Sequence, residues 1–308
     1  MRKFIMAGIA SLFLFAVAAC GSTSSTSDTT VAMESSSFPV TVGDFTLESQ
    51  PMRIVSLSPT ATEMLYAVGA GDQVVAVDDY SNFPQEAVDL GTALSGYEPN
   101  VEAIAGYAPD LVIIAYDTTS LIEQLNALSI PVFMAEAVTS IDAAYEQIEN
   151  IGLLTGHGAE AVALTESMRA QIEEAVAGVT LPAEPLSYYH ELDNTLYSVT
   201  SNTFIGSVYS LFGLRNIADN VEAGNDYPQL SAEVIVSSDP DLIFLADTKC
   251  CGETAETVAA REGWGSLKAV TNGNVIELDD DVPSRWGPRI VDFVIAIRDA
   301  VAALLATA

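Results

Sequence analysis

"VEAIAGYAPDLVIIA", residues 101–115, and "AEVIVSSDPDLIFLA", residues 232–246, are nearly one phrase written twice, with Glu233 standing 131 positions after Glu102. Asn100 and Ser231 precede the two phrases and are good N-cap types. They place Glu102 and Glu233 in the first turn of short helices, where a negative charge is favoured by about 0.3–1 kcal/mol. Pro109 and Pro240 then stop those helices. The chain continues into near-unbroken apolar runs, Leu111 to Ala115 and Leu242 to Leu245, the pattern of strands covered on both faces. Helix, proline and buried strand in the same order twice predict two similar lobes.

Working outward, further strands are expected at Ile54 to Leu57, Val74 to Val77, Val132 to Ala135, Leu186 to Tyr189 and Val275 to Leu278, alternating with amphipathic stretches. That alternation is the mark of an α/β fold with largely parallel sheets. "TEMLYAVGAGDQVVAV" and "GSVYSLFGLRNIAD" both read as a helix closed by glycine, at Gly69 and Gly213, before an extended segment. Between the halves, Ala159 to Val179 keeps helical spacing without proline, and such a helix spans about 30 Å. The expected division is an N-terminal lobe over 51–157, a connecting helix over 158–179 and a C-terminal lobe over 180–308, with a ligand cleft between the lobes.

At the front, basic "MRK" leads into an apolar stretch from Phe4 to Val17 and then "VAAC", which predicts a signal peptide over 1–19. "VAAC" followed by Gly21 resembles a bacterial lipobox, so Cys20 is the expected lipidated residue. A flexible tether is expected over 20–50, the run "GSTSSTSDTTVAMESSS" being Ser/Thr-rich. Export and a lipid anchor on the outer face of the cytoplasmic membrane or in the periplasm follow as expectations. The chain holds 42 acids against 11 bases, and Arg2 and Lys3 belong to the leader. So acidic a surface repels nucleic acid and anionic lipid headgroups and keeps the body soluble.

Ligands of open α/β sheets bind beyond the carboxyl ends of the strands. Tyr80, Tyr97, Tyr116 and Tyr227 fall near such ends and are candidates for a stacking surface. In "DDDVPSRWGPR", residues 279–289, Arg285 and Arg289 concentrate positive charge beside Trp286. The guanidinium fork suits carboxylate, catecholate or phosphate oxygens. The alternative is that both arginines neutralise Asp279, Asp280 and Asp281. Cys250 and Cys251 are adjacent in a loop after a strand, and either stay free, close a vicinal disulfide at the cleft mouth or pair between molecules. Only His157 and His190 are present, too few for a direct Mn²⁺ or Zn²⁺ site, and His190 is placed to touch the cleft. No nucleophile elbow, Walker loop or dinucleotide fingerprint occurs, so neither an enzyme nor a cofactor is expected.

"RIVSLSPTATEMLYAVGAGDQVVAVDDYSNFP", "PNVEAIAGYAPDLVII", "YPQLSAEVIVSSDPDLIFLAD" and "SRWGPRIVDFV" resemble the substrate-binding proteins of ABC importers for iron–siderophores, haem and vitamin B12, over residues 52–305. The resemblance implies a monomeric two-lobed binder with a stiff helical backbone. It implies docking of Glu102 and Glu233 onto basic pockets of a permease dimer, cleft-lining roles for Tyr80 and Tyr227, and anion-holding roles for Arg285 and Arg289. The ligand expected from these readings is a ferric siderophore or related chelate, with cobalamin or haem as the alternative. An exported sensor or an enzyme is the alternative of another class.

Overall fold

The first four strands of the N-terminal lobe set its shape: β1 (Val40–Val42) and β2 (Phe45–Leu47) make an antiparallel hairpin, while β3 (Ile54–Leu57) and β4 (Val74–Val77) begin a parallel sheet. The sheet is completed by β5 (Leu111–Ile114) and β6 (Val132–Met134) in the order β4-β3-β5-β6. Its helices are α1 (Pro59–Ala67), α2 (Gln85–Val88), α3 (Val101–Gly106), α4 (Leu121–Ala127) and α5 (Ile141–Thr155). The long helix α6 (Gly158–Ala177) follows at the position expected of it. This computed structural model describes residues 37–307 apart from Ala93 and Thr118. The expected signal peptide, Cys20 and most of the expected tether lie outside the described residues.

The second lobe repeats the plan with β7 (Ser187–Glu191), β8 (Arg215–Asn216), β9 (Leu242–Leu245) and β10 (Val275–Glu277), all parallel in the order β10-β9-β7-β8. In both lobes the first strand lies between the second and third, and the fourth sits on the far edge. Helices α7 (Phe204–Ser210), α8 (Ala232–Ser238), α9 (Ala255–Ala260), α10 (Lys268–Thr271), α11 (Asp281–Ser284) and α12 (Ile290–Thr307) complete it. This is the two-lobed α/β architecture expected from the repeated phrase.

The phrase also has a common anatomy in space. Asn100 Oδ1 caps α3 at the Ala103 N–H, 2.9 Å, and Ser231 Oγ caps α8 at the Val234 N–H, 3.3 Å. Glu102 and Glu233 are exposed in the two first turns. Each helix is left through a residue with positive φ before the proline, Ala108 at 47° and Asp239 at 45°. The next residue is an aspartate with a structural task. Asp110 accepts from the Arg53 N–H at 2.8 Å and returns its own N–H to the Arg53 carbonyl at 2.9 Å. Asp241 does the same with Ser187, at 2.8 and 3.0 Å. These reciprocal bonds set the register of the first and third strands in each sheet.

The lobes share a core. One apolar cluster runs from Ile54, Leu111 and Phe133 through Ile148, Met168 and Tyr209 to Phe244, Phe293 and Ile297, so α5, α6, α7 and α12 form one layer between the two sheets. The outer faces carry separate clusters, around Val112 and Leu125 in the first lobe and around Ile243 and Trp264 in the second. At about 25 cal/mol per Å² of apolar area, this shared layer resists lobe separation more than α6 alone would. The β1–β2 hairpin lies inside the stretch expected to be tether: Val40 and Leu47 are buried and β1 packs on α5, so the folded body begins before residue 51. Its two strands are three residues each, too short to carry a periodic signal.

Candidate functional site

In each sheet the chain leaves the first strand in one direction for the second and in the other for the third, which opens a crevice at their carboxyl ends. In the first lobe a recess of about 390 Å³ lies there, lined by Leu57, Ser58, Asp78, Ala115 and Tyr116 from the strand ends. Tyr80, Tyr97 and Tyr116 form one wall. Tyr80 meets Tyr97 edge-on with centroids 5.9 Å apart, and Tyr97 meets Tyr116 at 5.6 Å. All three rings are exposed, Tyr97 by 64%. Tyrosines this open, in contact with one another, leave apolar faces that packing has not used.

The opposite wall is Ser284, Arg285 and Trp286, brought over from the C-terminal part of the chain. Trp286 Nε1 donates to Gln147 Oε1 at 2.7 Å, which fixes the indole on α5. Arg285 is 7% exposed and engaged at both terminal nitrogens: Nη1 donates to Glu63 at 2.7 Å, and Nη2 to Asp281 at 2.8 Å and to the Tyr80 carbonyl at 3.0 Å. Arg289 donates to both oxygens of the same Glu63, at 2.9 and 2.5 Å, and its guanidinium lies 4.4 Å over the Phe83 ring. Both arginines expected to hold an anionic ligand are thus engaged by Glu63, although Arg285 also lines the recess. Glu63 is buried at 3% and needs two guanidiniums to offset its desolvation. Neutralisation of the adjacent acids accounts for part of the arrangement, through Arg285–Asp281 and a 3.9 Å Arg289–Asp279 pair. Arg289 faces a different hollow of about 730 Å³ with Tyr66, Phe83 and Glu86, away from the strand ends.

At the floor sits Asp78, the first residue past β4. A chain of hydroxyls, Ser56 to Thr62 to Ser81, ends on it, with Ser81 Oγ donating to Asp78 Oδ1 at 2.5 Å. Burial raises its pKa to about 6 against the pull of the Ser81 hydroxyl and the Arg285 charge.

At the corresponding strand ends of the second lobe lies a cluster of charged side chains. Arg261 reaches Glu191 through both terminal nitrogens, at 2.7 and 2.5 Å, and Glu253 at 2.8 Å. Asp247, just past β9, is fully buried, and neither carboxyl oxygen has a hydrogen-bond partner among the described residues. Burial and the Glu191 charge push its pKa up to about 8. Tyr227 is exposed on the loop between β8 and α8 and does not line the recess; nor do Cys250 and Cys251, whose thiols are exposed and free rather than joined. His190 is wholly buried, donor or acceptor to Tyr209 at 2.9 Å, with its pKa lowered to about 3 by burial. It cannot touch a ligand as expected of a cleft residue.

A family model described as periplasmic binding protein matches residues 54–282. The chain belongs to the periplasmic binding protein family. This binding protein is 37% identical over 270 residues to the cobalamin-binding protein of Halobacterium salinarum, covering 83% of this chain and 72% of that one. It is 30% identical over 311 residues to an uncharacterized ABC transporter substrate-binding lipoprotein of Bacillus subtilis, covering 96% of each. Among solved structures, the periplasmic vitamin B12-binding protein of Vibrio cholerae superposes with a TM-score of 0.67 at 26% identity, covering 83% of this chain and 97% of that one. Among the described residues of this binding protein, no three His, Cys, Asp or Glu side chains are placed to hold a metal ion, and no helix is long and apolar enough to cross a membrane.

Proposed function

We propose that the chain is the ligand-capturing subunit of an ABC importer and that its ligand is a corrinoid of the cobalamin type, held in the recess and handed on to a permease. The observation that carries the ligand class is the pairing of an open tyrosine wall with an arginine already neutralised. Tyr80, Tyr97 and Tyr116 offer flat apolar area, while Arg285 spends its donors on Glu63, Asp281 and the Tyr80 carbonyl. A ferric catecholate carries several negative charges and wants uncommitted cations, whereas among the described residues lining this recess Arg285 is the one cation and is already paired. A large macrocycle with amide side arms, and little net charge, gains from stacking and from polar groups such as Asp78 at the floor. The relatives named for cobalamin and vitamin B12 point the same way. A haem reading would draw no axial ligand from His190, which is buried in the core.

Glu102 and Glu233, exposed at matching corners of the two lobes, are proposed to meet basic surfaces on two permease subunits. Complementary charge of this kind sets orientation and speeds encounter more than it adds affinity. Cys20 is proposed as the lipid attachment point and the Ser/Thr-rich segment as the tether, with the protein outside the cytoplasm and monomeric. No chemistry on the ligand is involved.

Titration of intrinsic fluorescence with cobalamin, haem, a ferric catecholate and a ferric hydroxamate tests the ligand class. Saturable quenching by cobalamin at the lowest concentration is expected. Preference for the catecholate would return the arginines to a ligand-holding role.

A further inference from the structure

The loop after β9 carries the only two cysteines among the described residues, adjacent and exposed. Its backbone is held from one side. The Asp280 carboxylate accepts from the Lys249 N–H at 3.0 and 3.1 Å, from the Cys250 N–H at 2.8 Å and from Thr248 Oγ1 at 3.0 Å. On the other side the Cys251 N–H donates to the Asp247 carbonyl at 3.2 Å, and Gly252 turns the chain away with φ of 73°. The two exposed cysteines are thus carried on a held turn, where Cys250 Sγ donates to the Asp247 carbonyl at 3.9 Å.

We propose that Cys250 and Cys251 are a two-thiol redox site, closing reversibly to a vicinal disulfide by exchange with a small-molecule disulfide. The two thiols are unequal. Burial, the neighbouring Cys251 thiol and the charges of Asp280 and Asp247 push the Cys250 thiol up to about 12, which disfavours it as the first nucleophile, so the opening attack is assigned to Cys251 and Cys250 gives up its proton only in the second, intramolecular step. Cys251 sulfur bonds to one sulfur of the reagent, whose S–S bond breaks and releases one thiol. Cys250 sulfur then attacks the Cys251 sulfur, and the second reagent thiol leaves. The protons of the two cysteines end on the two released thiols, and the reagent disulfide takes the two electrons. Being adjacent, Cys250 resolves the mixed disulfide faster than a second reagent molecule can find it.

The same adjacency makes the product labile. Cα atoms joined by a trans peptide are about 3.8 Å apart, whereas disulfides usually span ~4.4–6.8 Å between Cα atoms, so the ring is strained and easily reduced. Strained and exposed disulfides are the ones that report on redox conditions. Closure also twists the peptide that donates to Asp247 and the Cys250 N–H that donates to Asp280.

The test uses the full chain carrying Cys20→Ser, so that the pair holds its only thiols, treated with glutathione disulfide and read by intact mass after alkylation. The expected result is loss of both free thiols and of two hydrogen masses with no retained glutathione, fully reversed by excess reduced glutathione. Cys250→Ser should keep one glutathione on Cys251, and Cys251→Ser should react at least tenfold more slowly. Retention of glutathione on both cysteines, a covalent dimer, or unchanged thiols in the folded protein would overturn the proposal. Circular dichroism of the serine variants checks that both are folded.

Discussion

Glu63 and Arg285, 222 positions apart, form a 2.7 Å ion pair with side-chain exposures of 1% and 8%. The pair, extended by Arg289, ties α1 of the first lobe to the segment entering α12. Removing one member of a buried pair leaves an uncompensated charge and costs about 3–5 kcal/mol. Glu63→Gln, which keeps the shape and removes the charge, should lower the unfolding free energy by that amount in urea denaturation. Arg169→Ala breaks an exposed pair with Asp142 and should cost less than about 1 kcal/mol. Equal losses in the two variants would show that Glu63 contributes no more than a surface acid.

Asp78 gives stability a pH dependence of known sign. Its folded pKa of about 6 lies above the ordinary aspartate value of 3.8. Between these values the folded protein binds more protons than the unfolded chain, so this group's contribution falls as pH rises through the window. The full difference is on the order of 3 kcal/mol. Asp78→Asn should match the parent near the bottom of the window and exceed it in stability at neutral pH by about 2–3 kcal/mol. A gap between the two proteins that does not change with pH would remove the buried acid as its cause.

The central strands were legible because both faces of each sheet are covered. Ile54–Leu57, Val74–Val77 and Leu242–Leu245 are near-continuous apolar runs for that reason. The two-residue strand β8 and the three-residue hairpin strands leave no such run. The aromatic wall was legible from strand ends. The partner of the two arginines was not, because charge proximity in sequence pointed to Asp279–Asp281 whereas the fold delivered Glu63. A trace of it exists: Glu63 stands between Thr62 and Met64 in a helix where residues 60 to 65 are all buried, and an acid there must find a cation. The tyrosine at 227 had the same local character as that at 80 and ended outside the recess, since loop path rather than residue type decides which way it points.

The recess therefore separates two tyrosines that sequence alone treats alike. Tyr97 stands between Tyr80 and Tyr116, and its removal breaks the wall in the middle. Tyr97→Ala should weaken cobalamin binding at least tenfold, about 1.4 kcal/mol. Tyr227→Ala should leave it within about twofold, a difference below 0.5 kcal/mol. Equilibrium fluorescence titration reads both. A larger loss from Tyr227 than from Tyr97 would move the ligand to the second lobe's loop.

Glu102 and Glu233 can be tested apart from the ligand, because neither lines the recess. In so acidic a chain any two exposed glutamates attract a basic surface, so the control is chosen by geometry. Glu123 and Glu256 are also exposed first-turn glutamates, on α4 and α9 rather than on the repeated helices. Glu102→Ala with Glu233→Ala should cut permease-dependent cobalamin uptake at least tenfold while ligand affinity stays unchanged. Glu123→Ala with Glu256→Ala should leave both quantities as they were. Each docking glutamate faces a separate subunit in the proposal, so the single variants should fall between parent and double variant, and the loss should shrink as salt screens the contact. Equal loss from the control pair would mean that net charge, not the matched corners of the two lobes, brings the protein to its permease.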